Sequence, residues 1–187
     1  MGISLCFTED DWQRIRRDWS AWWAGELERP LVMMQEKIQP PGRRLPSVPR
    51  FTSNFPLSMP ADQVLDRVQQ HLEATRYYGD AFPKWWVNFG PGIVAGFLGA
   101  RVHSVPETVW FEPARRRPIQ DVQPVYDADN IWWKRVRALT QRAVERWGSA
   151  VAIAHTDLGG NLDILASLRT TEQLLLDLSD APGEVER

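Results

Sequence analysis

A repeated alternation of amphipathic helix and short apolar run constrains the fold of this chain more than any other feature. Three helical patterns are each followed by a short apolar run, the helices at residues 9–24, 58–78 and 130–147 and the runs at 31–34, 85–88 and 151–154. Short continuous apolar runs are typical of strands that are buried on both faces of a parallel sheet. The alternation therefore predicts an α/β fold in which the three runs are neighbouring parallel strands whose carboxyl ends converge.

Local signals fix several boundaries of this pattern. Thr8 precedes three acidic residues and is a good N-cap for the first helix, which Gly25 ends. Asp127 or Asp129 can cap the helix at 130–147. Two shorter helices are predicted at 162–168 and 172–178, and residues 102–105 and 108–111 predict a small β-hairpin outside the helix–strand rhythm.

Charge and cysteine content exclude several classes of protein. The chain has 22 Lys and Arg against 24 Asp and Glu, so its formal net charge is −2 and no overall field attracts nucleic acid or an anionic membrane. Cys6 is the single cysteine, which rules out an internal disulfide and a cysteine-rich metal site within this segment. We expect a cytoplasmic protein with a small-molecule partner, no nucleic-acid partner and no membrane span.

Ten tryptophans give the chain an unusual aromatic content, and six of them occur in adjacent pairs. Such large rings most often serve as packing in the core and at its rim. The alternative is a stacking surface for a flat ligand, for which Trp86 in the second apolar run is the candidate.

A proline-rich segment at 39–60 cannot hold regular structure for long and predicts a long loop. It carries Arg43 and Arg44, which could clamp substrate carboxylates through bidentate hydrogen bonds. The simpler interpretation of both arginines is a solvated loop.

Three stretches of the chain carry a family pattern. They are WWAGELERPLV at 22–32, NFGPG at 88–92 with LGA at 98–100, and DLGGNLDILA at 157–166 with LRTTEQL at 168–174 and DLSDAP at 177–182. Together they resemble the bacterial uroporphyrinogen-decarboxylase-like proteins, with the last stretch the most specific. The resemblance covers the front part of a family member, which is normally about twice as long.

The resemblance implies a (β/α)₈ barrel whose ligand site lies at the carboxyl ends of the strands. Within that barrel the chain would form roughly the first half, with an added N-terminal helix and the hairpin as an excursion. The superfamily includes uroporphyrinogen decarboxylases, which act on a tetrapyrrole and need no cofactor. It also includes zinc-dependent methyltransferases that act on corrinoid-bound methyl groups, and their zinc ligands lie in the later half that this chain lacks.

Asn88 stands where the resemblance places the aspartate that contacts the pyrrole nitrogens in the decarboxylases. A carboxylate accepts several N–H bonds and stabilises developing positive charge, whereas an amide has a single carbonyl acceptor. The substitution disfavours uroporphyrinogen as the substrate and favours another substrate or a corrinoid methyl group.

Polar residues after the third run form the second part of the predicted site. His155 and Asp157 could relay a proton or bind a metal, although two ligands make a weak metal signal, and Asp163 could serve as an acid or base. The structural alternative is a histidine at the barrel rim and an aspartate that caps a loop.

Glycines accompany both candidate strand ends, and their backbone N–H groups could cradle a carboxylate or phosphate. The residues are Gly90, Gly92, Gly159 and Gly160, with Asn161 beside them. The alternative is tight turns in which glycine supplies a positive φ and Asn161 caps the following helix.

The last residues predict a helix start, with Pro182 in its first turn, and suggest a truncated barrel. A half-barrel would expose a sheet edge and apolar strand faces. The alternative to an enzyme fragment is therefore a non-catalytic module that associates with a second copy or with a missing C-terminal half.

Overall fold

A computed structural model describes residues 2–39, 41–42 and 44–187. The described chain is mixed α/β, with three two-stranded sheets, and it divides into two compact units. The first unit contains residues 1–48, 59–86 and 140–154, and the second contains residues 49–58, 87–139 and 155–187. No helix among the described residues is long and apolar enough to cross a membrane.

In the first unit, helix α1 spans Glu9–Trp23 and helix α2 spans Ala61–Glu73. The predicted cap of α1 is confirmed, since the Thr8 hydroxyl accepts a hydrogen bond from the Asp11 backbone N–H and the Asp11 side chain accepts one from Thr8 N–H. The apolar face of α2 is buried through Val64, Leu65, Val68 and Leu72. These four residues form the centre of this unit's core.

Strands β1 (Met33–Lys37) and β2 (Thr75–Gly79) form an antiparallel pair in which Met33 faces Gly79. This corrects two predictions. The first run does not form a strand buried on both faces, because all five residues of β1 are exposed, and the helix predicted over 58–78 ends at Glu73. Thr75, Tyr77 and Tyr78 are good strand formers, and pairing with β1 overrides the helical periodicity there.

Strands β3 (Lys84–Trp86) and β6 (Ala152–Ala154) pair in parallel, with Trp85 opposite Ile153. The predicted parallel neighbourhood of the second and third runs is therefore confirmed, while the first run is not hydrogen-bonded to either. Trp85 and Trp147 are buried and meet edge to face with ring centroids 5.6 Å apart. The interpretation of tryptophan as packing holds for this pair.

The second unit contains helix α3 (Ile93–Phe97) and the antiparallel hairpin of β4 (Arg101–Ser104) and β5 (Val109–Glu112). The predicted hairpin is confirmed to within one residue at each end. Phe89 and Ile93 are fully buried in this unit. A short 3₁₀ helix follows at Ile119–Asp121.

Helix α4 spans Ile131–Trp147, and the division between the units falls within it. Asn130 caps α4, because its side-chain oxygen accepts hydrogen bonds from the N–H groups of Trp132 and Trp133. The prediction of Asp127 or Asp129 as the cap is wrong. Asp127 instead accepts a hydrogen bond from Asp129 N–H in the preceding turn.

Three helices complete the second unit: α5 (Asn161–Arg169), α6 (Thr171–Asp180) and α7 (Pro182–Glu186). The turn between α5 and α6 is made by Thr170, whose φ of 82° is the only positive value among the described non-glycine residues. Arg169 and Asp177 join the two helices through hydrogen bonds of 2.6 and 3.0 Å, and only 12% of each side chain is exposed. This bidentate ion pair fixes α6 against α5.

Candidate functional site

Two glycine loops of the second unit meet. The first loop, residues 89–92, follows β3 in the chain, and the second loop, residues 157–161, follows β6. A Cβ atom added to Gly159 would lie 3.2 Å from the Pro91 carbonyl oxygen and 3.3 Å from the Gly92 Cα. Gly159 also has a φ of 74°, so both its conformation and the close approach of the loops favour glycine there.

Asn88 uses its amide to hold the first loop. The residue is 8% exposed, its Oδ1 accepts a hydrogen bond of 3.0 Å from Gly90 N–H, and its Nδ2 donates to the Arg50 carbonyl oxygen at 3.4 Å. The Asn88 carbonyl also accepts from Thr52 N–H at 2.6 Å. Asn88 therefore positions the loop against residues 50–52.

Gly90 and Gly92 have packing roles. Gly90 has a φ of 90°, and a Cβ atom there would lie 2.6 Å from the Val109 Cβ. Gly92 precedes α3, and a Cβ there would be 3.4 Å from the Phe111 ring. These contacts support the alternative in which Gly90 and Gly92 serve a tight, closely packed turn.

His155 is exposed, and its Nδ1 lies 2.6 Å from the Thr156 carbonyl oxygen. Because a carbonyl oxygen only accepts, Nδ1 carries the proton and donates it, which leaves Nε2 of the neutral ring as an acceptor. This tautomer suits a ring that takes a proton or a metal through Nε2.

Asp157 is half-buried and closes the second loop by accepting a hydrogen bond of 2.8 Å from Gly159 N–H. Asp163 is exposed in the first turn of α5. Asn161 is the first residue of α5 and not its cap, because Gly160 occupies the N-cap position. The expected capping role of Asn161 is therefore wrong, and its exposed side chain instead lines a cleft.

The residue directly before the second loop, Thr156, is one that the sequence pattern does not reveal. Thr156 is 3% exposed, and its buried hydroxyl has no hydrogen-bond partner among the described residues. A buried hydroxyl is normally satisfied, so Thr156 marks this loop as a place where a ligand or water could bind. No spacing or composition signal distinguishes it from an ordinary loop threonine.

The remaining predicted site residues are not part of these two loops. Trp86 is 48% exposed on β3, and Arg44 is exposed in the first unit. Arg43 lies outside the described residues. Among the described residues no group of three or more His, Cys, Asp or Glu side chains could hold a metal ion.

The first unit contains a buried carboxylate that no sequence pattern singles out. Asp80 is 0% exposed and accepts hydrogen bonds from both Arg29 NH groups, at 2.7 and 2.8 Å, and from Val32 N–H at 2.7 Å. The Arg29 guanidinium holds the pKa of Asp80 below its ordinary value, and burial opposes that effect. Both of its oxygens accept hydrogen bonds from groups of the fold, so we assign it a structural role.

The geometry defines a mixed α/β chain in which two glycine loops, a histidine and an unsatisfied threonine hydroxyl form one candidate binding region of the second unit. Comparison of the chain with models of known families, with curated proteins and with solved structures found no match.

Proposed function

We propose that the chain forms the N-terminal part of a uroporphyrinogen-decarboxylase-like (β/α)₈ barrel that acts on a small molecule at the carboxyl ends of its strands. The observation that carries the proposal is the parallel pairing of β3 with β6, together with the contact between the loops that follow them. Polar loops after adjacent parallel strands are where α/β folds build their ligand sites.

His155 is the residue proposed for chemistry, through its free Nε2, and Asp157 shapes the loop that presents it. The loop N–H groups and the Thr156 hydroxyl would bind a carboxylate or carbonyl of the ligand. Asn88 has its amide committed to the first loop. This commitment favours a ligand other than uroporphyrinogen, such as a corrinoid-linked methyl donor.

A binding experiment tests this proposal. Coproporphyrin, hydroxocobalamin and methylcobalamin are titrated into the protein, and ligand binding is followed by equilibrium dialysis. We expect saturable binding of at least one of them, weakened by up to about tenfold in His155→Gln, since one hydrogen bond to a ligand is worth up to about 1.5 kcal/mol. His103→Gln is the matched control and should bind as the wild type does.

The absence of saturable binding for all three ligands would overturn the proposal. Equal weakening by His155→Gln and His103→Gln would remove His155 from it.

A second candidate function is a non-catalytic module that associates with another copy or chain. Helix α6 supports this candidate because it exposes Leu175, Leu176 and Leu178 at 63%, 55% and 44%. Three large apolar side chains on one short helix are more than single scattered surface residues, and such a surface is typical of an interface.

A further inference from the structure

A cleft of about 660 Å³ lies within the second unit, beside the glycine loops. Helices α3, α5 and α7 and residues 119–124 surround it. Most of its wall is apolar, and the residues concerned include Val94, Leu98, Ile164, Leu165, Leu168 and Val185. Its volume falls in the range of about 300–1,000 Å³ that is usual for small-molecule pockets.

A smaller, basic pocket of about 120 Å³ adjoins this cleft. The two share Leu98, Val122, Gln123 and Leu168, so they lie next to each other along these four residues. Arg115 and Arg117 line the smaller pocket and are exposed. Neither has an ion pair or hydrogen bond with any residue that the structure describes, which leaves two guanidinium groups free beside an apolar space.

The charges that α7 contributes to the wall of the cleft do not favour an anion. Arg187 is 3.0 Å from Glu184, so this pair is neutral as a whole, and Glu186 adds an exposed negative charge. An anionic group is therefore disfavoured beside α7 and favoured beside Arg115 and Arg117.

We infer that this cleft binds a small amphiphilic anion, with its apolar body against α5 and its single carboxylate or phosphate group at Arg115 and Arg117. Guanidinium groups suit both head groups because they donate two parallel hydrogen bonds to planar or tetrahedral oxyanions. The inference goes beyond the proposed barrel chemistry, since it uses no residue assigned a role there.

Isothermal titration calorimetry with decanoate, decyl phosphate, decanol and decylamine, each below its critical micelle concentration, tests the inference. Decanoate or decyl phosphate should bind with a stoichiometry of one, at least about tenfold more tightly than decanol or decylamine, because the charged hydrogen bonds are absent from the alcohol and the amine is repelled. Whichever anion binds more tightly identifies the head group.

A pair of matched double variants locates the head group. Arg115→Gln/Arg117→Gln should weaken anion binding by about tenfold or more, to the level of decanol. Arg101→Gln/Arg137→Gln removes the same charge from exposed residues of the same unit that line neither pocket. It should change binding by less than about twofold, since exposed charges away from the site are screened by salt. Gln123→Trp, at the junction of the two pockets, should also weaken binding.

Equal affinity for decanol and the anions, equal loss in the two double variants, or no binding of any probe would overturn the inference. His155→Gln should leave decanoate binding unchanged. A negative result in the tetrapyrrole and corrinoid titrations would therefore count against the proposed function only. A negative result with decanoate and decyl phosphate would count against this inference only.

Discussion

At the scale of single residues, the ion pair of Asp80 with Arg29 stabilises the first unit. Asp80→Asn removes the charge that Arg29 and Val32 N–H both contact. We expect a loss of about 2 kcal/mol in the free energy of unfolding, less than for a pair buried on both sides, because 47% of the Arg29 side chain is exposed. Chemical denaturation measures it, and Glu28→Gln, which removes a neighbouring exposed charge, should change stability by less than about 0.5 kcal/mol.

The same carboxylate predicts a pH dependence. The pKa of Asp80 is lowered in the folded chain by Arg29, so its stabilisation is complete above the ordinary aspartate pKa and is lost as the pH falls through the folded value. The difference in unfolding free energy between wild type and Asp80→Asn should therefore be constant near neutrality and shrink below about pH 4. A difference that stays constant down to pH 2 would contradict the assignment.

Gly159 and Gly160 are neighbours with different requirements. Gly159→Ala places a Cβ in a left-handed conformation and against Pro91 and Gly92, so we expect it to destabilise the second unit by about 1–2 kcal/mol. Gly160 has an ordinary φ of −93°, and an added Cβ would meet only the flexible end of Asp163. Gly160→Ala should therefore cost less, about 0.5 kcal/mol from the preference of an N-cap for glycine over alanine, in thermal denaturation. Equal effects would contradict the conformation and close contact assigned to Gly159.

At the scale of elements, Thr170 joins α5 to α6 at a conformational cost. Its φ of 82° and ψ of 147° fall in a region used almost only by glycine, and its hydroxyl caps α6 weakly at 3.4 Å. Thr170→Gly should stabilise the chain by about 1 kcal/mol, because the strain it removes exceeds the small cost of a glycine cap. Thr171→Gly, within the first turn of α6, should instead destabilise slightly, by about 0.3 kcal/mol, so calorimetry distinguishes the two by the sign of the change.

Local signals in the sequence were sufficient for the elements that stabilise themselves. The capping of α1 by Thr8 and the hairpin around Pro106 and Glu107 depend on contacts within a few residues, and both are present. Strands β1 and β2 depend on pairing across about 40 positions, which no local pattern encodes. The local pattern therefore predicts a buried strand at 31–34 and a helix that includes Thr75 to Tyr78, and both predictions are wrong.

The candidate site was predictable to a similar extent. The glycine loops could be placed because glycine pairs beside a strand have few other uses. The commitment of the Asn88 amide to Gly90 and Arg50, and the unsatisfied hydroxyl of Thr156, depend on the path of the folded backbone. These hydrogen bonds depend on which residues are neighbours in the folded chain, so the spacing of residues in the sequence does not predict them.

At the scale of the whole molecule, the exposed leucines of α6 predict self-association. We expect the average mass in sedimentation velocity to rise with concentration, and Leu175→Lys/Leu176→Lys to abolish that rise, because two charges would be buried without partners in an interface. Val125→Lys/Val144→Lys adds the same two charges at exposed valines outside α6. This control should leave the rise in mass with concentration unchanged. A constant monomer mass for wild type would contradict the association module.

The β3–β6 ladder has only three residue pairs, and no third strand joins it among the described residues. Each outer side of such a ribbon presents backbone donors and acceptors at regular intervals. A peptide strand supplied in trans would therefore find regularly spaced hydrogen-bonding partners along either side of this ribbon.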